Sequence, residues 1–409
     1  MHKLLWKLRR SQTRSSKIIL DAIILSSVFF LLFALTVEPG AAQHSRKIQM
    51  INNGTVGIIS GGNGGTDLST LRDLATVFDN GSSLRILPII GRGSLQNIED
   101  ILYMRGVDAG IVQSDVLTYI KRLPGYDNIE ARINYIAKLF DLEFHLVAGQ
   151  HIQSVKDLAG KKVNFGRATS GTNITASAVF SALGVKVTPV HYDTALALKM
   201  VQDKKIAAAV FVAGKPDNTI RRLKQNQNIH LLTVDYAKPL RKAYLPAKLT
   251  ARDYPDLIAN GTSIRTVSVG SVMAVYNWTK VRSPARYEKV VRFIDAFIKQ
   301  YKELKKPPRH PKWQDMNIAA TVPGWIRFPP TQSRIEKLKR SLKKQSEAAA
   351  KTEQKVAGRV ELNSFDPAKK ALFFKFLRDR NVDSTMLATT DRKQLFLEFF
   401  QWQKENNTQ

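Results

Sequence analysis

The sequence predicts an α/β fold of two lobes that face each other across a crevice, and three observations carry that reading. Two glycine-broken turns, Ser60-Gly61-Gly62-Asn63-Gly64-Gly65-Thr66 and Arg167-Ala168-Thr169-Ser170-Gly171-Thr172-Asn173, lie about a hundred residues apart. Each follows a short β-branched run and opens a helix, an arrangement that aims unpaired backbone N–H groups and a helix dipole at a small anion. The chain of 409 residues also exceeds what one hydrophobic core usually serves.

Taken in order, Thr55–Ile59 reads as a buried strand, and the spacing Leu68, Leu71, Leu74, Ala75, Phe78 is helical. A second strand, Leu84–Ile90, passes through Gly91-Arg92-Gly93-Ser94 into a helix carrying Leu95, Ile98 and Leu102, with Ser94 as its expected N-cap. A third, Ala109–Val112, leads into Gln113-Ser114-Asp115 and another helix start. Strands that each end in a polar, cap-like turn imply an open sheet whose crevice lies at their carboxyl ends. After a strand-like Phe144–Val147, the pattern restarts at Lys162–Phe165 and continues with a helix at Ile174–Leu183, a strand at Thr188–His191, a helix at Thr194–Gln202 and an apolar run at Ile206–Ala213. The alternating segment Arg265–Tyr276 reads as a strand returning to the first lobe, followed by an amphipathic helix at Tyr287–Tyr301. Beyond about residue 330 the character changes to a Lys-rich helix former, Arg334–Lys355, and a Phe-rich stretch, Pro367–Phe400. The expected organisation is a signal or anchor at 1–42, a first lobe at 46–148 plus 265–330, a second lobe at 149–264, and a basic linker with a helical tail at 331–409.

The formal charge of +29 predicts attraction to anionic surfaces or ligands. The first 42 residues contribute only six basic and two acidic side chains, so the excess belongs to the rest of the chain. Those residues read as a secretory signal: a basic stretch, an apolar run from Ala22 to Leu35, and Pro39-Gly40-Ala41-Ala42 before an expected cleavage point. If retained, the segment would anchor the protein through residues 18–37. Export argues against nucleic acid as a partner, and the basic residues lack the aromatic interleaving of a single-strand binder. The absence of cysteine excludes disulfides and thiolate chemistry.

No catalytic constellation is legible. The first glycine turn lacks the lysine of a phosphate-binding Walker loop, the seven histidines show no metal-ligand spacing, and Ser60, Ser94, Ser114 and Ser170 lack the nucleophile-elbow spacing. His145 and His191 read as core histidines of apolar strands, and Asp115 as a helix cap. Arg92 and Arg167 sit inside crevice turns, where a guanidinium could fork onto a carboxylate.

An ordered set of motifs resembles the TAXI-type solute-binding proteins of tripartite ATP-independent periplasmic (TRAP) transporters. The pieces are Gly61-Gly62-Asn63-Gly64-Gly65-Thr66, Gly93-Ser94-Leu95-Gln96-Asn97, Val107 through Asp115, Asp157 through Val163, Ser170-Gly171-Thr172, and Val210 through Pro216. That family usually places a tyrosine just after the first glycine turn, where Asp67-Leu68 stand here. The resemblance implies a type 2 periplasmic-binding fold and a periplasmic protein; the missing catalytic constellation leads to the expectation of no enzyme activity, and no cofactor is expected. It would capture a small organic anion, a carboxylate or acidic amino acid, and deliver it to TRAP-type integral membrane subunits. The expected ligand-binding residues are Ser60, Gly61, Asn63, Gly65, Thr66, Ser94, Asn97, Gln113, Ser114, Arg167, Ser170, Gly171, Thr172 and Gly214, with no catalytic and no metal-binding residue. A rival reading keeps the binding fold as the scaffold of an envelope-associated adaptor or sensor, with the basic tail engaging membrane or protein.

Overall fold

A computed structural model describes residues 39–62, 65–224, 228–357, 366–380 and 392–406. The expected signal segment therefore lies outside the described residues except for its last four, as does Asn63 of the first glycine turn. The chain forms one compact unit ending at Thr331 and a second running Gln332–Gln409.

The described part of the first unit opens with helix α1 (Pro39–Gly54), which runs through the expected cleavage point after Ala42. Strand β1 (Thr55–Ser60), helix α2 (Thr66–Phe78), β2 (Arg85–Ile90), helix α3 (Ser94–Tyr103) and β3 (Ala109–Gln113) follow. Next come the 17-residue β4 (Ile133–Gly149), β5 (Lys162–Asn164), α4 (Gly171–Ala182), β6 (Thr188–Val190), α5 (Thr194–Gln202), β7 (Ala208–Ala213), β8 (Ile229–Leu231), β9 (Leu245–Thr250), the 14-residue β10 (Ser263–Tyr276) and α6 (Pro284–Gln300). Among the described residues, no helix is long and apolar enough to cross a membrane.

One mixed sheet runs β2-β1-β3-β10-β4-β7-β5-β6, with β8 added to β4 and β9 to β10. Strands β1, β2 and β3 are parallel, as are β5, β6 and β7, whereas β4 and β10 run antiparallel to each other and to the strands on either side. Two separate apolar cores flank this arrangement. One gathers Ile59, Ile98, Ile101, Val112, Val116 and Val272, and the other Val147, Leu198, Val201, Ala209, Leu249 and Tyr254. The fold is therefore two parallel α/β lobes joined through two long antiparallel strands, and the carboxyl ends of the parallel strands in both lobes point toward the crevice.

The stretch Phe144–Val147, strand-like in the sequence, lies near the end of β4, whose first eleven residues carry no clear strand pattern of their own. Irregularities in its pairing with β10, between Ser271 and Val272 and between Met273 and Ala274, break the alternation by which strands are recognised. Glu143 marks the hand-over from one lobe to the other, since it pairs with Ser268 of β10 and with Ala213 of β7. Its carboxylate is buried and fully engaged: Lys312 Nζ donates to Oε1 at 2.6 Å and the Lys215 amide to Oε2 at 2.9 Å. Lys312 is itself only 3 % exposed. Burial works against its ammonium, but Glu143 and Asp315 hold it above the ordinary lysine range.

The second unit begins inside α7 (Pro329–Ala357) and continues with α8 (Pro367–Asp379) and α9 (Arg392–Asn406). Its apolar core is Phe373, Phe376, Leu377, Leu395 and Phe399, with the Phe373 and Phe399 rings edge to face at 5.1 Å.

Removing one partner of a buried ion pair leaves the other charge desolvated, which costs about 3–5 kcal/mol. Lys312→Met is expected to lose stability in that range in urea unfolding, with much of it recovered in the double variant Lys312→Met/Glu143→Gln. A loss below about 1 kcal/mol would mean that the pair does not hold the strand hand-over.

Candidate functional site

The chain leaves β1 at Ser60, bends through Gly61 and Gly62, and enters α2 with Gly65 as the N-cap. In the second lobe it leaves β5 at Asn164, turns at Gly166 with φ of +69°, and enters α4 behind Ser170. The Ser170 hydroxyl accepts from the Asn173 amide at 3.1 Å, so the amides of Gly171 and Thr172 are the first-turn donors left without an intrahelical acceptor. Both turns open onto one cavity of about 400 Å³, with Gly61, Gly65, Thr66 and Asp67 on one side and Ser170, Gly171 and Thr172 on the other. The turns at Arg92–Ser94 and Tyr192–Ala195 and the strand Val210–Ala213 complete its walls, together with Asp217 and Thr219.

The lobes touch around this cavity. The Thr66 hydroxyl donates to the Gly214 carbonyl at 3.3 Å and accepts from the Gly214 amide at 3.0 Å. Thr175 on α4 donates toward Gln113 Oε1 at 2.9 Å and Asp115 Oδ2 at 2.6 Å, and Tyr244 donates to the same Asp115 oxygen at 3.0 Å. Two glycines make the approach possible. A Cβ on Gly93, whose φ is +137°, would stand 2.5 Å from Ser170 Cα, and one on Gly171 would stand 2.4 Å from Gln113 Oε1.

Of the residues expected from sequence to meet a ligand, Gly61, Gly65, Thr66, Ser94, Asn97, Gln113, Arg167, Ser170, Gly171 and Thr172 line the cavity. Ser60, Ser114 and Gly214 do not. Ser60 is fully buried and its carbonyl accepts from Asn97 and from the Gly91 amide, and Ser114 packs on Gly270 with its carbonyl bonded to the Trp325 indole. Gly214 spends its amide and carbonyl on Thr66. Several lining side chains are also committed within the protein. Asn97 donates to the carbonyls of Ser60 and Ile111, and the Ser94 hydroxyl accepts from the Gln113 amide, so Gly93 and not Ser94 is the N-cap of α3.

Asp115 makes no side-chain cap bond to the short helix Val116–Ile120, because its carboxylate is drawn across to Thr175 and Tyr244. Burial pushes Asp115 up to about 6 despite those two donors. His145 is a core residue, bonded through Nε2 to the Tyr254 hydroxyl at 2.7 Å, and burial pushes it down to about 4. The same hydroxyl accepts from the Asp217 amide at 2.9 Å, which fixes Asp217 at the cavity wall. His191, expected in the core, is exposed, with Nδ1 on the Gly166 carbonyl at 2.8 Å.

The charged groups of the wall differ in how they are matched. Arg167 is paired through Nε with Asp193 at 2.8 Å, while Arg92 is exposed. The Asp217 carboxylate accepts from the Thr219 and Ile220 amides, capping the turn Asn218–Arg221. Asp67, which sequence reasoning did not place in the site, has one carboxylate oxygen closed to solvent and no hydrogen-bond or ion-pair partner among the described residues. Burial pushes it up from 3.8 to about 6. No motif could have shown this, because it depends on the turns that close over the residue. With the folded value raised, the native state holds protons that the unfolded chain releases between about pH 4 and 6, so the ionised group weakens the fold at neutral pH and that penalty fades on acidification. Asp67→Asn is expected to raise the melting temperature at pH 7.5, with the gap closing toward pH 5. A constant gap, or a drop at pH 7.5, would contradict this.

Among solved structures, the chain resembles the periplasmic binding protein BugD at 14 % identity and a TM-score of 0.43, covering 69 % of this chain and 93 % of that one. A structure described as a periplasmic transporter matches at 10 % identity and a TM-score of 0.43 over 73 % of this chain and 97 % of that one. The periplasmic aliphatic sulphonate binding protein SsuA from Escherichia coli matches at 15 % identity and a TM-score of 0.36 over 61 % and 75 %. The model of the NMT1-like family matches residues 58–324, the whole of the crevice region included, and the chain belongs to that family.

Proposed function

We propose that this protein is an exported solute-binding protein that closes its lobes over a small carboxylate-bearing solute and delivers it to membrane transport subunits of the TRAP type. The observation that carries the reading is the convergence of two glycine-broken turns, one from each lobe, on a single cavity of about 400 Å³. That volume falls within the range of roughly 300–1,000 Å³ of small-molecule pockets. The free amides of Gly171 and Thr172, backed by the dipole of α4, suit a carboxylate. The TRAP assignment rests on the ordered motifs between Gly61 and Pro216 and on no feature of the cavity.

Binding without catalysis is consistent with the state of the wall hydroxyls. Ser94 and Ser170 are bonded to backbone amides and not to a base that could activate them. Contacts to both lobes exist only when the crevice is shut, so a solute would stabilise the closed arrangement by its differential affinity, and closure is the state a membrane partner would read.

A solute at a hundredfold excess over its Kd should add about 2.7 kcal/mol to stability. A thermal-shift screen of amino acids, mono- and dicarboxylates and sulfonates is expected to yield at least one stabilising solute. Gly171→Val, which drives a side chain into Gln113 and Ser94, should abolish that response in protein that remains folded by circular dichroism. A screen with no response, or a response unchanged in Gly171→Val, would count against solute capture in the crevice.

A further inference from the structure

Asp67 lies in the first turn of α2 and faces the cavity. Its Oδ1 is shut away from solvent without a donor, and Oδ2 lies on the side of Gly61, where even a Cβ on that glycine would stand 3.3 Å from it. A carboxylate oxygen without water or a donor is costly to keep in a folded protein, because nothing replaces its hydration, while Asp67 as a whole is half-buried and lines the cavity. The other two wall carboxylates are employed differently: Asp193 faces Arg167, and Asp217 caps its own turn. Asp67 therefore stands as a wall acceptor without a partner among the described residues.

Another part of the wall has the reverse character, with the amides of Gly171 and Thr172 at the start of α4 and the exposed Arg92 turn packed beside them. An acceptor on one turn and donors on another make the wall of this one cavity bipolar. A dicarboxylate would satisfy the donors and set a second negative charge against Asp67. A solute with a protonated nitrogen at one end and a carboxylate at the other satisfies both.

Building on the solute-binding reading above, we propose that the solute is an amino-acid-like zwitterion whose protonated amine is received by Asp67 while its carboxylate meets the α4 turn. Asp67 is thus the specificity-determining residue that separates amines from plain carboxylates. Its raised protonation range agrees with this role: an arriving cation restores the charge that burial disfavours.

The rival role for the same group is a protonated Asp67 donating a hydrogen bond to a solute carboxylate, and the two differ in proton linkage. With a cationic solute, affinity falls as Asp67 gains its proton, so binding weakens between pH 7.5 and pH 5. With a protonated donor, affinity for an anion strengthens over the same interval.

The test is titration calorimetry on the full chain with matched pairs that differ only in the amine: L-glutamate and glutarate, L-leucine and 4-methylpentanoate, L-lysine and 6-aminohexanoate, the last pair comparing α-amine with distal amine. The expected result is at least one α-amino acid bound tenfold or more tightly than its partner. That preference should be lost in both Asp67→Asn and Asp67→Ala, each verified as folded by its melting transition, and affinity should fall at least threefold from pH 7.5 to pH 5. Glutarate or 4-methylpentanoate bound as tightly as its amino acid, affinity indifferent to both substitutions, or affinity rising on acidification would overturn the proposal while leaving solute capture intact. No heat and no thermal shift with any member would overturn both.

Discussion

The structure depends on two strands that belong to both lobes at once. Strand β4 begins in register with β10 and ends in register with β7 and β8, and β10 pairs with β9 through its first half and with β3 through its second. Because these strands run continuously through the waist, the parallel strands of each lobe must bring their carboxyl ends to the same crevice. The polar backbone at the hand-over is secured where it is least accessible to water, by a buried Glu143 that takes Lys312 from the segment Pro311–Asp315 and the Lys215 amide from the end of β7. Lys312 reaches further still, since its stem lies against Gly214, the residue that Thr66 grips from the first lobe. The waist, the floor of the crevice and the entrance to α2 are thus one contiguous packing unit.

What that frame presents to the cavity is mostly backbone and mostly spoken for. Asn97, Ser94 and Gln113 stitch the turns to their strands, and Thr175 binds the two lobes together through Gln113 and Asp115. Among the described residues, the groups not committed to a protein partner include the first-turn amides of α4, the guanidinium of Arg92, Asp67, and the buried Asn97 Oδ1 and Asn164 Nδ2. A protein usually relieves a buried unpartnered carboxylate by pairing it or replacing it, and a site that keeps one accepts lower stability for a binding preference. The raised protonation range of Asp67 and the proposed choice of solute thus rest on the same residue.

Much of the fold was legible in the sequence where local chemistry decides the outcome. The helix Thr194–Gln202 was read to the residue, and the two glycine turns were placed correctly between strand and helix, because glycine, serine and threonine at strand ends have few other uses. Residues 133–143 were not legible as strand, since Asn134, Lys138 and Asp141 interrupt the apolar pattern and the pairing with β10 is irregular there. The burial of Lys312 was invisible because its partner is 169 residues away. In the site, sequence found the turns but misjudged individual side chains. Asp115 was read as a cap because its neighbours are local, whereas its donors come from Thr175 and Tyr244 in the other lobe. Asp67 carries no signal in the sequence, because a carboxylate in the first turn of a helix is ordinary until the fold closes one of its oxygens to water.

The central claim is that one solute is gripped by both lobes at the facing turns. Amide hydrogen exchange with and without a stabilising solute tests this most directly. The account predicts simultaneous slowing at the α2 entrance, Gly65–Asp67, and at the α4 entrance, Gly171–Asn173, with exchange in Gln332–Gln409 unchanged. Slowing confined to one of the two entrances, or concentrated in the C-terminal unit, would contradict it.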